Sequence, residues 1–224
     1  RRTVDRGFSF DHLLARTAPP SQPPRERPAK YDFAVAYPDP ESLPLDELAE
    51  SLSRALREDG RDLAVSPHPQ GYPPLREYVA AKIAADRDIH VSADDILLGD
   101  GSGEPLHMLI EALVDPQDVV LAESYVYSGT LNTLRRFRAD VRGVACDEEG
   151  LLPEAVETAV AAAVREGRRP KLIYTIPTFQ NPQGWTMPRD RRSELLRISE
   201  RHDVPILEDD CYVDLRYEGE PVTS

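Results

Sequence analysis

From Leu45 onward the chain alternates between two hydrophobic rhythms. Leu45, Leu48, Leu52 and Leu56 recur at helical spacing and predict an amphipathic helix over residues 44–58. Gln70-Gly-Tyr-Pro-Pro-Leu75 then reads as a turn leading into a second helix, 76–85. Short apolar runs follow at 96–98, 119–122, 141–145, 171–176 and 204–207, each predicting a strand. Between them lie helical stretches at 104–114, 129–138, 153–166 and 189–202. Short apolar strands separated by helices imply parallel pairing through right-handed crossovers, hence an α/β fold: a three-layer α/β/α sandwich on a mostly parallel sheet. No internal repeat is visible.

The first 44 residues break this rhythm. Pro19, Pro20, Pro23, Pro24 and Pro28 crowd together, and proline lacks the donor that helices and central strands need. The segment reads either as an extended arm that wraps a partner subunit and contributes to a smaller domain, or as a disordered tail. The expected division is therefore an arm, 1–44, followed by one large domain from 45 to 224.

Charge narrows the function classes. With 27 basic against 40 acidic residues the net charge is −13, the wrong sign for a nucleic-acid surface, which must displace counterions with a basic patch. No stretch approaches the roughly 18 apolar residues of a membrane helix, and the Arg-rich start is not followed by a signal-like apolar run. Cys146 and Cys211 lie far apart without metal-ligand spacing, so two reduced thiols in the cytoplasm are expected rather than a disulfide.

The candidate chemistry gathers where strands end, which is where open α/β sheets bind ligands. Leu98-Gly-Asp-Gly-Ser-Gly-Glu104 follows an apolar run and opens a helix. Its glycines let the backbone approach an anion, the unpaired N–H groups of the first turn attract one, and Ser102 adds a hydroxyl. It is not a P-loop, because no Gly-Lys-Ser/Thr follows, and it can equally be a plain strand-to-helix turn. Glu123-Ser-Tyr-Val-Tyr-Ser-Gly129 places two tyrosines at the next strand end, either to stack on a flat ring or to cover the sheet edge. Asn181 sits between Pro177 and Pro182, which restrict the backbone and hold its amide in one direction. Glu208-Asp-Asp-Cys-Tyr212 puts three carboxylates at the last strand end, where one is expected to meet a cation. A metal is a poor match for carboxylates from one short run; a protonated heterocycle, whose N–H⁺ a carboxylate holds protonated, is a better one.

In this order, these motifs resemble the fold-type I, class I/II aminotransferases, in the branch that contains aminoadipate and aromatic aminotransferases. The similarity runs from about residue 30 to the end and is carried best by Gln70–Arg76, Pro170–Gly184 and Pro205–Tyr212. It implies pyridoxal 5′-phosphate (PLP) as cofactor and a ping-pong exchange between an amino acid and a 2-oxo acid. By motif, Asp209 would pair with the pyridine nitrogen. Tyr212 and Asn181 would bond the phenolic oxygen, Tyr127 would stack on the ring, and Ser102, Gly103 and Glu104 would approach the phosphate. Tyr72 would reach the phosphate of the neighbouring subunit's cofactor, which implies a homodimer with shared sites. Gly103-Glu104 stands where many relatives carry a glutamine pair, and a glutamate suits a phosphate only if its side chain turns away. The resemblance also implies a lysine that carries the cofactor, and none of Lys30, Lys82 and Lys171 matches its position. The chain is therefore expected to be the N-terminal part of an enzyme, with the rest of the large domain and a C-terminal small domain beyond it. Other expectations the same fold allows are elimination or cyclisation chemistry, an effector domain of a winged-helix regulator, or a non-catalytic fragment.

Overall fold

The structure, a computed structural model, describes residues 13–15, 18, 30–31, 38–65 and 68–222. The chain divides into two compact units, 1–66 and 67–224. This division falls after the first helix. The clustered prolines of the expected arm lie outside the described residues.

In the first unit, Asp39 accepts a hydrogen bond from the N–H of Glu41 and caps a short 3-10 turn, Pro40–Ser42. Helix α1 (Leu45–Glu58) follows on the predicted residues. Its stripe of Leu45, Leu48, Leu52 and Leu56 is exposed.

The second unit opens with the Gln70–Tyr72 turn. Gly71 adopts a left-handed φ of 97°, and a Cβ there would stand 2.6 Å from Leu98, so both conformation and contact require glycine. Helix α2 (Pro73–Arg87) starts three residues earlier than the sequence pattern suggests, because proline is tolerated in a first helical turn that lacks N–H partners anyway. The run 96–98 is not a strand. The Leu98 N–H donates to the Gln70 carbonyl (2.9 Å), and the buried Arg76 ties the same turn to Ala93 (3.0 Å), so this segment bonds to a turn instead of a ladder.

The remaining elements alternate as expected: α3 (Gly103–Leu113), β1 (Val119–Glu123), α4 (Ser128–Arg136), β2 (Asp140–Val144), a hairpin of β3 (Cys146–Asp147) and β4 (Gly150–Leu151), α5 (Pro153–Arg165), β5 (Pro170–Thr175), α6 (Arg189–His202) and β6 (Ile206–Glu208). The hairpin was not foreshadowed by any periodicity. Four parallel strands form the main sheet in the order β2-β1-β5-β6. Its two faces carry separate cores. Val120, Ala122, Leu172, Tyr174 and Ile176 pack with Ile110 of α3 and Leu134 of α4. Val119, Leu121 and Ile173 pack with Val156, Val160 and Ala163 of α5 and Leu195 and Ile198 of α6. This is the three-layer α/β/α sandwich. Burial on both faces explains why the central strands β1 and β5 are mostly apolar, whereas the edge strand β2 is partly exposed and carries Asp140 and Arg142. Each buried Val, Leu or Ile in these cores contributes roughly 1.5–3 kcal/mol, and together they align the C-terminal ends of β1, β5 and β6 side by side.

Candidate active site

The site is built from the segments that leave those three strand ends. After β6, the Asp209 N–H donates to the Thr175 carbonyl at 2.9 Å, so the β5–β6 ladder extends to the first residue of the loop. The three consecutive carboxylates then separate by partner. Arg87 of α2 pairs with Asp210 and lies 3.7 Å from Glu208, while the buried Arg192 of α6 approaches Glu208 at 3.6 Å. Asp209, among the described residues, pairs with no arginine or lysine. It accepts instead from the Tyr174 hydroxyl at 2.7 Å, and Tyr174 accepts from Thr130 Oγ1 at 3.0 Å. Tyr174 is fully buried, and burial pushes its pKa up, so the phenol keeps its proton and remains a donor. Two of the three carboxylates thus meet arginines, whereas Asp209 meets none among the described residues.

Beside Asp209, Asn181 Nδ2 donates to the Tyr212 hydroxyl oxygen at 3.2 Å. Burial raises the Tyr212 pKa against the effect of the Asn181 amide, so Tyr212 too stays protonated and has its own O–H to give. The loop that carries Asn181 is fastened from beneath by Glu123, which is 2% exposed. Its carboxylate accepts from Thr175 Oγ1 (2.5 Å), the Ile176 N–H (2.9 Å) and Gln180 Nε2 (2.5 Å). Gln180 also donates to the Tyr125 carbonyl and accepts from the Gln183 N–H (2.7 Å), so its side chain spans the cis Asn181–Pro182 peptide.

Tyr127 precedes α4, its ring lying so close over Gly129 that a Cβ there would meet ring carbon Cε1 at 2.4 Å. Tyr127 is 47% exposed. The short Val114–Asp118 connection reverses the chain between α3 and β1, so the N-terminus of α3 lies at the same end as the strand termini. There Ser102 makes no side-chain cap bond, whereas Glu104 folds back to accept from the Asp100 N–H at 2.7 Å. The Glu104 carboxylate is therefore committed to its own turn. Tyr72 occupies the position just before α2 and is exposed.

The sequence profile of a family described as aminotransferase class I and II matches residues 34–224. The chain belongs to that family. The aromatic-amino-acid aminotransferase 1 of Thermococcus litoralis is 32% identical over 190 residues, 85% of this chain and 46% of that protein. The 2-aminoadipate transaminase of Thermus thermophilus is 34% identical over 196 residues, 87% of this chain and 46% of that protein. Among solved structures, an archaeal alanine:glyoxylate aminotransferase superposes with a TM-score of 0.78 at 36% identity, over 83% of this chain and 46% of that one. The chain spans about half the length of the relatives it matches.

Membership in the aminotransferases agrees with the motif reading, and within this fold Asp209, Asn181, Tyr212 and Tyr127 fall at one end of the sheet. The lysines of the second unit are committed elsewhere. Lys82 pairs with Asp86 (2.6 Å) and Asp214 (3.3 Å), and Lys171 pairs with Asp118 (3.3 Å) at the opposite end of β5. Four site residues escaped the sequence reading: Thr130, Tyr174, Glu123 and Gln180. Their signal is present. A tyrosine at an inward strand position and a glutamate closing an apolar strand both bury polar groups that require partners, but the partners lie 35 to 57 residues away.

Proposed function

We propose that the protein containing this chain is a PLP-dependent aminotransferase that moves an amino group between an amino acid and a 2-oxo acid by a ping-pong mechanism. The observation that carries this reading is Asp209: a carboxylate at a strand end that no cation of the described residues neutralises, next to the Asn181–Tyr212 donor pair. This donor set fits the cofactor. A carboxylate suits a pyridinium N–H⁺, a phenol and an amide suit a phenolate oxygen, and a glycine-rich helix start with a free serine hydroxyl suits a phosphate.

Bound there, PLP supplies the electron sink for cleavage at the amino acid's Cα. Asp209 would hold the proton on the ring nitrogen, Tyr212 and Asn181 would stabilise the ionised phenolic oxygen, and Tyr127 would cover the ring face. Ser102 and the backbone of Gly103 and Glu104 would hold the phosphate. Tyr72, exposed at the start of α2, would reach the phosphate of a partner subunit's cofactor, making the protein a homodimer with shared sites. Two free thiols, Cys146 and Cys211, suit a reducing cytoplasm. No helix among the described residues is long and apolar enough to cross a membrane.

Mixing the PLP-loaded complete protein with an amino acid alone is expected to convert the pyridoxal absorbance stoichiometrically to that of pyridoxamine, and a 2-oxo acid should restore it. Steady release of ammonia without any 2-oxo acid would instead assign elimination chemistry. A second expectation concerns Tyr212. Tyr212→Phe removes a donor to the phenolic oxygen and should raise the pH midpoint of the bound cofactor's absorbance by about one unit. An unchanged titration would remove Tyr212 from this role.

A further inference from the structure

Tyr174 stands on β5 in the apolar layer between the sheet and α3–α4, surrounded by Leu172, Ile176, Ala122 and Leu134. A phenylalanine would fill that layer equally well. The hydroxyl therefore requires an explanation of its own, and it has one polar chain to belong to: Thr130 to Tyr174 to Asp209, at 3.0 and 2.7 Å. The chain's polarity is set from its carboxylate end. An ionised Asp209 can only accept, so Tyr174 must donate to it, and Thr130 must then donate to the Tyr174 oxygen. Thr130 is itself buried on α4, so neither hydroxyl has water as an alternative. Cys211 is exposed, yet partial desolvation of its thiol first, then the Asp209 carboxylate, pushes its pKa up to about 11; it stays a neutral thiol and places no charge beside the aspartate.

We propose that Tyr174, backed by Thr130, is a positioning residue that orients the Asp209 carboxylate through Oδ2 and so sets how well Asp209 holds the proton of the cofactor's ring nitrogen. This rests on the assignment of Asp209 to that nitrogen. A hydrogen bond from a neutral donor fixes the carboxylate's plane and favours its charged form. Without it, Asp209 is free to rotate, and the interaction with the ring N–H⁺ loses its preorganisation.

The test compares equilibrium binding of PLP and of 1-deaza-PLP, in which the ring nitrogen is replaced by C–H, to the complete apo protein. Tyr174→Phe is expected to weaken PLP binding by about tenfold, the size of one charge-assisted hydrogen bond, and to leave 1-deaza-PLP binding unchanged. Thr130→Val should give a smaller selective loss, and Thr130→Ser, which keeps the donor, should restore wild-type selectivity. Equal losses for both cofactors would mean that Tyr174 only packs the core and would overturn the proposal, as would no loss for either. Because the readout is a ratio, it stays informative if a variant is partly destabilised, and the threonine pair tests the relay without touching Tyr174. Asp209→Asn separates the two levels of the reading. If it also fails to discriminate between the cofactors, the assignment of Asp209 to the ring nitrogen falls. If it discriminates and Tyr174→Phe does not, only the relay falls.

Discussion

Asp209→Ala in the complete protein should lower amino transfer by roughly two to three orders of magnitude, comparable to removing a preorganised electrostatic partner from other active sites, while the cofactor remains detectable. On the proposed assignment, the Asp209 carboxylate would keep the ring nitrogen protonated, and without it the cofactor would supply a poorer sink for electrons from Cα. Removing Asp209 strands no cation, but it leaves the buried Tyr174 hydroxyl without its acceptor, a stability cost of about 1–3 kcal/mol, so kcat is read on the folded, cofactor-loaded protein. Neighbouring substitutions supply the contrast. Glu208→Ala and Asp210→Ala remove partners of Arg192 and Arg87, so they should lower the urea midpoint while leaving the ring proton in place. Amino transfer within a few-fold of wild type in Asp209→Ala, measured at saturating substrate, would show that the charge partner lies elsewhere.

The second large effect falls on stability. Glu123→Ala strands three buried donors at once, the Thr175 hydroxyl, the Ile176 N–H and the Gln180 amide. Each unsatisfied group costs about 1–3 kcal/mol, so a loss of about 3 kcal/mol or more is expected, a large share of an ordinary domain's 5–15 kcal/mol. The Asn181 loop should loosen with it, since Gln180 loses its anchor. The pH dependence carries the same signature. Burial is the largest influence on Glu123 and raises its pKa above 4.5, against the three donors. The folded state therefore keeps this proton after the unfolded state has released it. The linked stabilisation is complete below pH about 4.5 and is lost as pH rises through the folded pKa. Urea midpoints across that window should decline with pH for the wild type, and Glu123→Ala should lack this part of the slope. An unchanged midpoint would mean that the three donors find other acceptors.

How much of this was legible beforehand depends on the range of the interaction involved. Helix α6 occupies the residues its pattern marks, 189–202, because Pro188 and the left-handed Asp203 bound it locally. The central strands β1 and β5 could be read because burial on both faces favours apolar runs. The order of the three best motifs likewise carried the family, since each motif is contiguous. The fate of the Glu208-Asp-Asp run was not contiguous in this sense. Which carboxylate would stay without a cation was decided by Arg87, 123 residues before Asp210, and by the turn of α6 that brings Arg192 to Glu208. The same holds for Tyr174, whose composition and spacing mark only a buried aromatic until β5 and β6 are set side by side. The run 96–98 failed as a strand for the complementary reason: its apolar residues satisfy the local pattern, but the Leu98 N–H bonds to the Gln70 carbonyl and the Ile96 N–H to Ala93, not to a ladder. Periodicity is a property of neighbours along the chain and can be read from them. Hydrogen-bond and charge partners at a sheet's end are chosen by strand order and register, and those exist only once the sheet has formed.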